Sequence, residues 1–256
     1  SSRVADAANV GNKLQLTART TNTPFEASAS AADSTVGSPL NPLPITHDYV
    51  LIIPDRGVGS FGLSSTMSLT VVNLPTHANQ SELINLTAGK DLVVVTPINV
   101  GTDTTNGGSV ILKAGQGLTL GGMVTAKSLD VTAGGDLTIT SKVGALNVVM
   151  TNTGDLTVFQ TGALNISSIT MAGGDINLIA DGDITIGDIS GTAGNINITS
   201  KSGSINITKL NSAGDVVLSA VGGSVTAGSG VNNRIEADTL DIIAKGAITV
   251  YEKDGV

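Results

Sequence analysis

The chain has 256 residues, of which 40% are hydrophobic, 2% aromatic and 13% charged, with a formal net charge of −8 and no cysteine. This length and apolar content are enough for a sizeable core. The acidic balance argues against binding to nucleic acid or an anionic membrane, and the absence of cysteine excludes disulfides, zinc fingers and thiol catalysis.

Residues 1–81 form the first predicted region, an irregular, Pro-rich set of short strands and loops. All seven prolines lie at or before Pro97, and both histidines, His47 and His77, lie within this region. Proline-rich and glycine-rich stretches mark turns and loops. We predict that this region is an insertion into, or a lateral elaboration of, the region that follows. The two histidines are interpreted as ordinary surface residues.

Residues 82–256 form the second predicted region, a repeat. Four segments begin at a constant spacing, at Asp155, Asp175, Asn195 and Asp215, and each contains two short pieces in which apolar residues alternate with polar ones. Alternation with a period of two is typical of strands with one buried face. Frequent glycine and β-branched residues argue against helices throughout this region.

Stacking of the copies as successive coils explains the repeat. Propeller blades need about 40 residues each and carry periodic aromatics, which this chain lacks. Parallel crossovers are right-handed in most proteins, so the predicted fold is all-β, a right-handed parallel β-helix of about 20 residues per coil and eight or nine coils. The predicted inward columns are Leu156, Ile176, Ile196, Val216 and Leu240; Val158, Leu178, Ile198, Leu218 and Ile242; and Leu164, Ile184, Ile205, Val225 and Ile248.

Two outward columns are also predicted, and both are mostly threonine and asparagine. Such side chains can form lateral hydrogen bonds to their stacked equivalents. The columns are Thr157, Asn177, Asn197 and Val217, and Asn165, Thr185, Asn206, Thr226 and Thr249. A flat array of this kind would be compatible with ice binding, although Val217 and Asp241 interrupt it.

The phrases "AGGDLTI" from Ala133 and "AGGDINL" from Ala172 resemble the roughly 20-residue repeats of filamentous-haemagglutinin-type exoproteins. These are large Gram-negative adhesins, and the resemblance covers about residues 100–256. It implies a β-helical segment of an adhesin at the bacterial cell surface or outside the cell. Because the sequence begins without a methionine or a signal peptide and ends directly after a coil, we expect a piece of a longer chain.

Candidate ligand contacts lie in the irregular region, because loops that break a repeat commonly carry function. We predict Tyr49, Arg56 and Phe61 as contacts to a host or neighbouring-cell surface, or to an extracellular polysaccharide. No nucleic acid and no direct membrane insertion are expected.

His47 with Asp48, and His77, could form a metal or acid/base site, but the histidines lack a third ligand at a recognisable spacing. Clustered carboxylates are the other candidate metal ligands. The column of Asp155, Asp175, Asn195 and Asp215 could be a Ca²⁺ ladder, because stacked carboxylates repel one another unless a cation lies between them. Each Asp can instead accept a turn N–H and face solvent. The second interpretation is favoured, because the calcium-roll motif is absent. A compact trio, Asp181, Asp183 and Asp188, is the better metal candidate, and no other cofactor is expected.

The sequence therefore predicts a structural and adhesive segment and not an enzyme. Polysaccharide lyases and hydrolases share the β-helix, but they need acidic and basic groups that converge in one cleft. After residue 97 the chain has no histidine and a single arginine, Arg234. A polysaccharide-active or polysaccharide-binding protein and an ice-binding solenoid remain the alternatives.

Overall fold

The computed structural model describes residues 5–10, 13–18, 25–29, 49–52, 59–192, 194–228 and 234–250, the first four of these segments by their backbone alone. All regular structure in these residues is β-strand. Within them, no helix has the length and apolar character needed to cross a membrane.

The strands follow one another in chain order. The first twelve are β1 Ala5–Val10, β2 Lys13–Ala18, β3 Phe25–Ala29, β4 Tyr49–Ile52, β5 Phe61–Ser65, β6 Leu69–Asn73, β7 Leu83–Ala88, β8 Leu92–Val94, β9 Ile98–Gly101, β10 Ser109–Ala114, β11 Leu118–Leu120 and β12 Val124–Ala133. The other twelve are β13 Leu137–Met150, β14 Leu156–Gln160, β15 Leu164–Met171, β16 Ile176–Ala180, β17 Ile184–Thr192, β18 Ile196–Ser200, β19 Ile205–Ser212, β20 Val216–Ala220, β21 Val225–Ala227, β22 Ile235–Glu236, β23 Leu240–Ala244 and β24 Ile248–Val250.

Each coil has three faces, which one coil illustrates. The first face is β14, the second is residues 164–166 of β15, and the third is residues 168–171 of the same strand. Each segment pairs in parallel with its equivalent in the next coil, in β16 or β17. The chain therefore forms a parallel β-solenoid, as the repeat predicts.

The register matches the predicted columns. On the first face Leu156, Ile176, Ile196 and Val216 pair in succession, and on the second face Leu164 pairs with Ile184. The side chains of these columns are buried up to the coil that contains Val216 and Val225. Leu240 and Ile248, also predicted inward, keep the register but are 40% and 51% exposed. Aliphatic side chains can fill a thin interior when each coil repeats the one beneath it, because equivalent residues lie about 4.8 Å apart.

The outward columns are confirmed as well. Thr157, Asn177, Asn197 and Val217 are register partners on the first face. On the second face the column of Asn165, Thr185, Asn206, Thr226 and Thr249 has a polar residue in every coil. Within one face, period-two alternation therefore assigns residues to the interior or to the surface, whereas at the corner between the second and third faces the spacing of buried residues is three, as between Ile166 and Ile169.

The solenoid begins before residue 82, where the repeat region was predicted to start. β5 pairs in parallel with β7, and β3 with β5, while β4 pairs in parallel with β6. The described strands from β3 onward thus extend the coil stack and are not a lateral elaboration of it. The alternation in β5 and β6 is too short for the repeat to reveal them, and the chain between Leu63 and its register partner Leu86 is longer than a regular coil.

A column of side-chain acceptors, here called the Asx ladder, joins the turns between the third and first faces. Asp136, Asp155, Asp175 and Asn195 each accept at Oδ1 from the backbone N–H of the next ladder position, at 3.0, 2.9, 2.6 and 2.9 Å. The last of these donors is Asp215, whose own Oδ1 accepts from the Thr239 hydroxyl. The turn amides that face the preceding coil thereby find a side-chain acceptor without metal.

The turns also depend on glycine. Gly174 has φ +103°, and a Cβ at this position would collide with the carbonyl oxygen of Gly154 in the preceding coil. Only glycine adopts this conformation without strain and lets the two turns approach so closely.

Candidate functional site

Two neighbouring loops depart from the regular coils and form a polar surface, here called the platform. The first, residues 74–82, joins β6 to β7, and the second, residues 102–108, joins β9 to β10. The backbone N–H groups of Asn79 and Ser81 donate to the carbonyl oxygens of Val100 and Asn106, at 3.0 and 2.6 Å. The loops therefore stack on each other as the coils do.

A buried carboxylate fixes the first loop. The Glu82 side chain is fully buried, and its Oε2 accepts from the backbone N–H of His77 at 2.8 Å while Oε1 lies 2.8 Å from the Nδ1 of the same residue. The His77 side chain keeps 35% of its surface exposed. A buried carboxylate needs such partners, because desolvating it without them is costly. The pair thus ties the outer turn of the loop to the solenoid wall.

Left-handed backbone gives the platform its shape. Asn79 and Ser81 have φ +57° and +53°, a conformation uncommon for residues other than glycine. Below them Gly101 has φ +79°, and a Cβ on it would collide with the Asn79 side chain. The strained residues are held by the inter-loop hydrogen bonds, which is how such backbone persists in folded proteins.

Asp103 organises the second loop. Its Oδ1 accepts from the backbone N–H groups of Thr105 and Asn106, at 2.8 and 2.7 Å, and its carbonyl oxygen accepts from Gly107. The two amide donors, Asn106 first and Thr105 second, hold the pKa of the Asp103 carboxyl below its ordinary value, and the charge of Lys127 in the next coil acts in the same direction. The loop is a turn closed by three hydrogen bonds to Asp103, whose carboxyl group is ionised at neutral pH.

The exposed side chains of the platform are short and mostly uncharged. They are amides, hydroxyls, one methyl group and one carboxylate. The exposed residues are Ala78, Asn79, Gln80, Ser81, Asp103, Thr104, Thr105 and Asn106. Such a surface can exchange hydrogen bonds with a ligand, but it offers little apolar area.

The predicted ligand contacts do not meet in the described residues. Phe61 is 1% exposed and packs in the core at the start of β5, so its ring presents no surface to a ligand. Its inward position follows from the alternation of β5, in which Leu63 points the same way. The backbone of Tyr49 begins β4, whereas its side chain and Arg56 lie outside the described part of the chain.

The predicted metal trio does not converge either. Asp181 pairs with Lys201 at 2.9 Å and Asp188 with Lys209 at 3.1 Å. Asp183 accepts at Oδ1 from the N–H of Ser204, at 2.7 Å, as a side chain of the Asx ladder would. Among residues whose side chains are described, no group of three or more His, Cys, Asp or Glu side chains is placed to hold a metal ion.

Sequence reasoning did not find the platform. It treated His77 as an ordinary surface residue and did not consider Glu82 or Asp103 as functional groups. One signal was available, since the copies of the repeat that begin at Glu82 and Ser109 are spaced more widely than the later copies. The excess indicates an insertion, and Asp103 followed by Asn106 and Gly107 is typical of a turn.

No known family model and no curated protein sequence matches the chain.

Proposed function

We propose that the chain is a structural and adhesive segment of a large bacterial exoprotein, at the cell surface or secreted. The solenoid is the shaft, and the platform is its contact region for a host or neighbouring-cell surface, or for an extracellular polysaccharide. The resemblance of "AGGDLTI" and "AGGDINL" to filamentous-haemagglutinin-type repeats supports the assignment to this class of protein.

The observation that carries this proposal is the contrast between the platform and the coils. From Leu156 to Ala220 the first-face strands repeat with one register and one length. The platform leaves this pattern, and hydrogen bonds between and within its two loops hold side chains that are exposed. Binding residues are commonly found on loops that a rigid scaffold positions.

The proposed role is not enzymatic. Four acidic side chains of the regular coils are engaged in structural bonds: Asp155 and Asp175 accept in the Asx ladder, and Asp181 and Asp188 pair with lysines. Carboxylates used in this way are not poised as acid and base across a glycosidic bond.

Adhesion of coated beads tests the proposal. Beads that carry the purified chain should bind to layers of cultured epithelial cells or to a bacterial lawn, and bare beads should not. The triple variant Gln80→Ala, Thr104→Ala, Thr105→Ala should lose most of this binding, because the substitutions remove exposed platform groups and leave the backbone hydrogen bonds intact.

The matched control removes three outward polar side chains from the second face of the solenoid. It is Thr185→Ala, Asn206→Ala, Thr226→Ala, and it should bind as the native chain does. Equal loss in both triple variants, with both folded by circular dichroism, would assign the contact to the shaft and contradict the proposal. Native beads that bind to neither surface would contradict it as well.

Ice binding is the second candidate, and one observation favours it. The second-face column from Asn165 to Thr249 has an amide or hydroxyl in every coil, in continuous register. Thermal hysteresis of the purified chain decides between the two functions, because an adhesive segment produces none.

A further inference from the structure

The platform has the chemistry of a surface that recognises hydroxyl groups. Gln80, Thr104, Thr105 and Asn106 are exposed there, and each side chain can both donate and accept hydrogen bonds. Sugar hydroxyls have the same dual capacity, so an array of amides and hydroxyls can satisfy many of them at once. The loops are held by their own backbone bonds, and these side chains are presented from a fixed frame, which lowers the entropy lost on binding.

Asp103 supplies the strongest acceptor of this array. Its Oδ1 is occupied by the N–H groups of Thr105 and Asn106. The second carboxylate oxygen is on an exposed side chain and is oriented by those two bonds. A carboxylate fixed in this way forms charge-assisted hydrogen bonds with hydroxyl donors, which are roughly twice as strong as neutral ones.

Charge selects among hydroxyl-rich ligands. The two platform loops, residues 74–82 and 102–108, contain no lysine or arginine, and the whole chain carries a net charge of −8. Among the described residues, the positive charge of Lys127 interacts favourably with the Asp103 carboxylate. An anionic polymer would therefore meet no cluster of cations on these two loops and would be repelled by the protein as a whole.

We propose that the platform is a binding site for a neutral, hydroxyl-rich saccharide. Asp103 accepts from a pair of sugar hydroxyls, and the amide and hydroxyl side chains around it bond to the neighbouring ones. This inference deepens the proposed adhesive function, on which it rests, by naming the chemical class that the same surface takes.

Affinity electrophoresis tests it with defined probes. The full chain is run in native gels that contain galactomannan, xyloglucan or dextran, and in a gel that contains polygalacturonate as the anionic comparison. At least one neutral polysaccharide should retard the chain, and polygalacturonate should not. Asp103→Asn combined with Gln80→Ala should weaken the retarding interaction about tenfold, as expected for loss of a hydrogen bond to a charged group.

A control variant has the same change in charge and the same loss of one amide, and it tests whether these changes alone alter migration in the gel. It is Asp136→Asn combined with Asn197→Ala, both far along the chain from the platform, and it should be retarded as the native chain is. No retardation in any neutral gel, retardation by polygalacturonate alone, or equal weakening in both variants would overturn the proposal.

Different outcomes would reject the adhesive role and the saccharide site. Coated beads that adhere while no neutral gel retards the chain would keep the adhesive role and reject the saccharide. A chain that is retarded through Asp103 but whose beads adhere to neither cell layer would keep the saccharide site and reject the adhesive role.

Discussion

At the scale of single residues, the platform depends on two carboxylates in opposite environments. Glu82 is buried against His77, and Asp103 is exposed and accepts two backbone N–H groups. The first fixes a loop to the wall of the solenoid, and the second shapes a turn in solvent. Their environments therefore predict different effects of mutation, and the lowered pKa of Asp103 predicts an effect of pH on the second loop.

Replacing Glu82 should loosen the first loop. Glu82→Ala removes both bonds to His77 and leaves a cavity, so we expect the free energy of unfolding to fall by about 2 kcal/mol. Glu82→Gln keeps the volume and an acceptor for the His77 N–H and should cost less. Urea unfolding and amide exchange over residues 74–82 measure both effects. If the two variants were equal, a role for the carboxylate bonds would be contradicted.

Acidification should release the second loop. The pKa of Asp103 is lowered in the folded chain, so its ionised form stabilises the turn. That contribution is complete above the unfolded carboxyl pKa of ~3.9 and is lost as pH falls through the lower folded value. NMR exchange of the Thr105 and Asn106 amides, corrected for intrinsic rates, should show steady protection from neutral pH to about pH 5 and loss below ~4. Asp103→Asn should abolish this pH dependence.

At the scale of strands and turns, the aspartates of the Asx ladder accept hydrogen bonds from turn N–H groups, as the sequence analysis favoured, but the donor differs from the one predicted. The predicted bond was local to each turn, whereas the observed acceptor serves the next coil, as Asp175 does for Asn195. Sequence alone does not separate these cases, because both use the same residue types. The native asparagine at one ladder position indicates that the acceptor oxygen matters more than the charge.

Substitutions at Asp175 test this conclusion. Asp175→Ala leaves the Asn195 N–H without its side-chain acceptor and should cost about 1 kcal/mol of unfolding free energy. Asp175→Asn keeps the acceptor and relieves repulsion from Asp155, so it should be close to neutral. Thermal melting compares them with Asn177→Ala, an outward change in the strand that follows. An asparagine variant as unstable as the alanine variant would show that charge is required.

At the scale of the whole molecule, the sequence predicts the fold where its repeat is regular and misses features where the repeat is irregular. The strand columns around Leu156 and Leu164 were predicted with the correct register, because strict alternation allows only one burial pattern. The coils of β5 and β6 and the platform were missed, since their spacing departs from that of the regular repeat. The bonds between His77 and Glu82 depend on a loop that folds back on itself, and no period in the sequence records them.

Removal of one coil tests the stacking principle. Deleting residues 175–194 joins Gly174 to Asn195 and brings Leu156 next to Ile196 in the interior, so the shortened chain should fold and melt cooperatively. Its length should fall by about 4.8 Å, one strand spacing, which small-angle X-ray scattering can compare with the native chain. Deletion of residues 175–193, one residue fewer, is the matched control.

The control should melt at a lower temperature than the first deletion, because its extra residue must be accommodated in the turn if polar side chains are not to shift to inward positions of the following strand. Near-native circular dichroism and melting from both deletions would contradict the column model. Loss of folding in both would show that individual coils are not interchangeable.

The Asx ladder also has a polarity. At every step the earlier coil presents the oxygen and the later coil brings the N–H, as from Asp155 to Asp175. In a chain that is synthesised or exported with its N-terminus first, each folded coil therefore already presents the acceptor oxygen to which the N–H of the next coil binds. The solenoid would then fold by addition of one coil at a time to the coils already formed, without contacts from the distant C-terminal sequence.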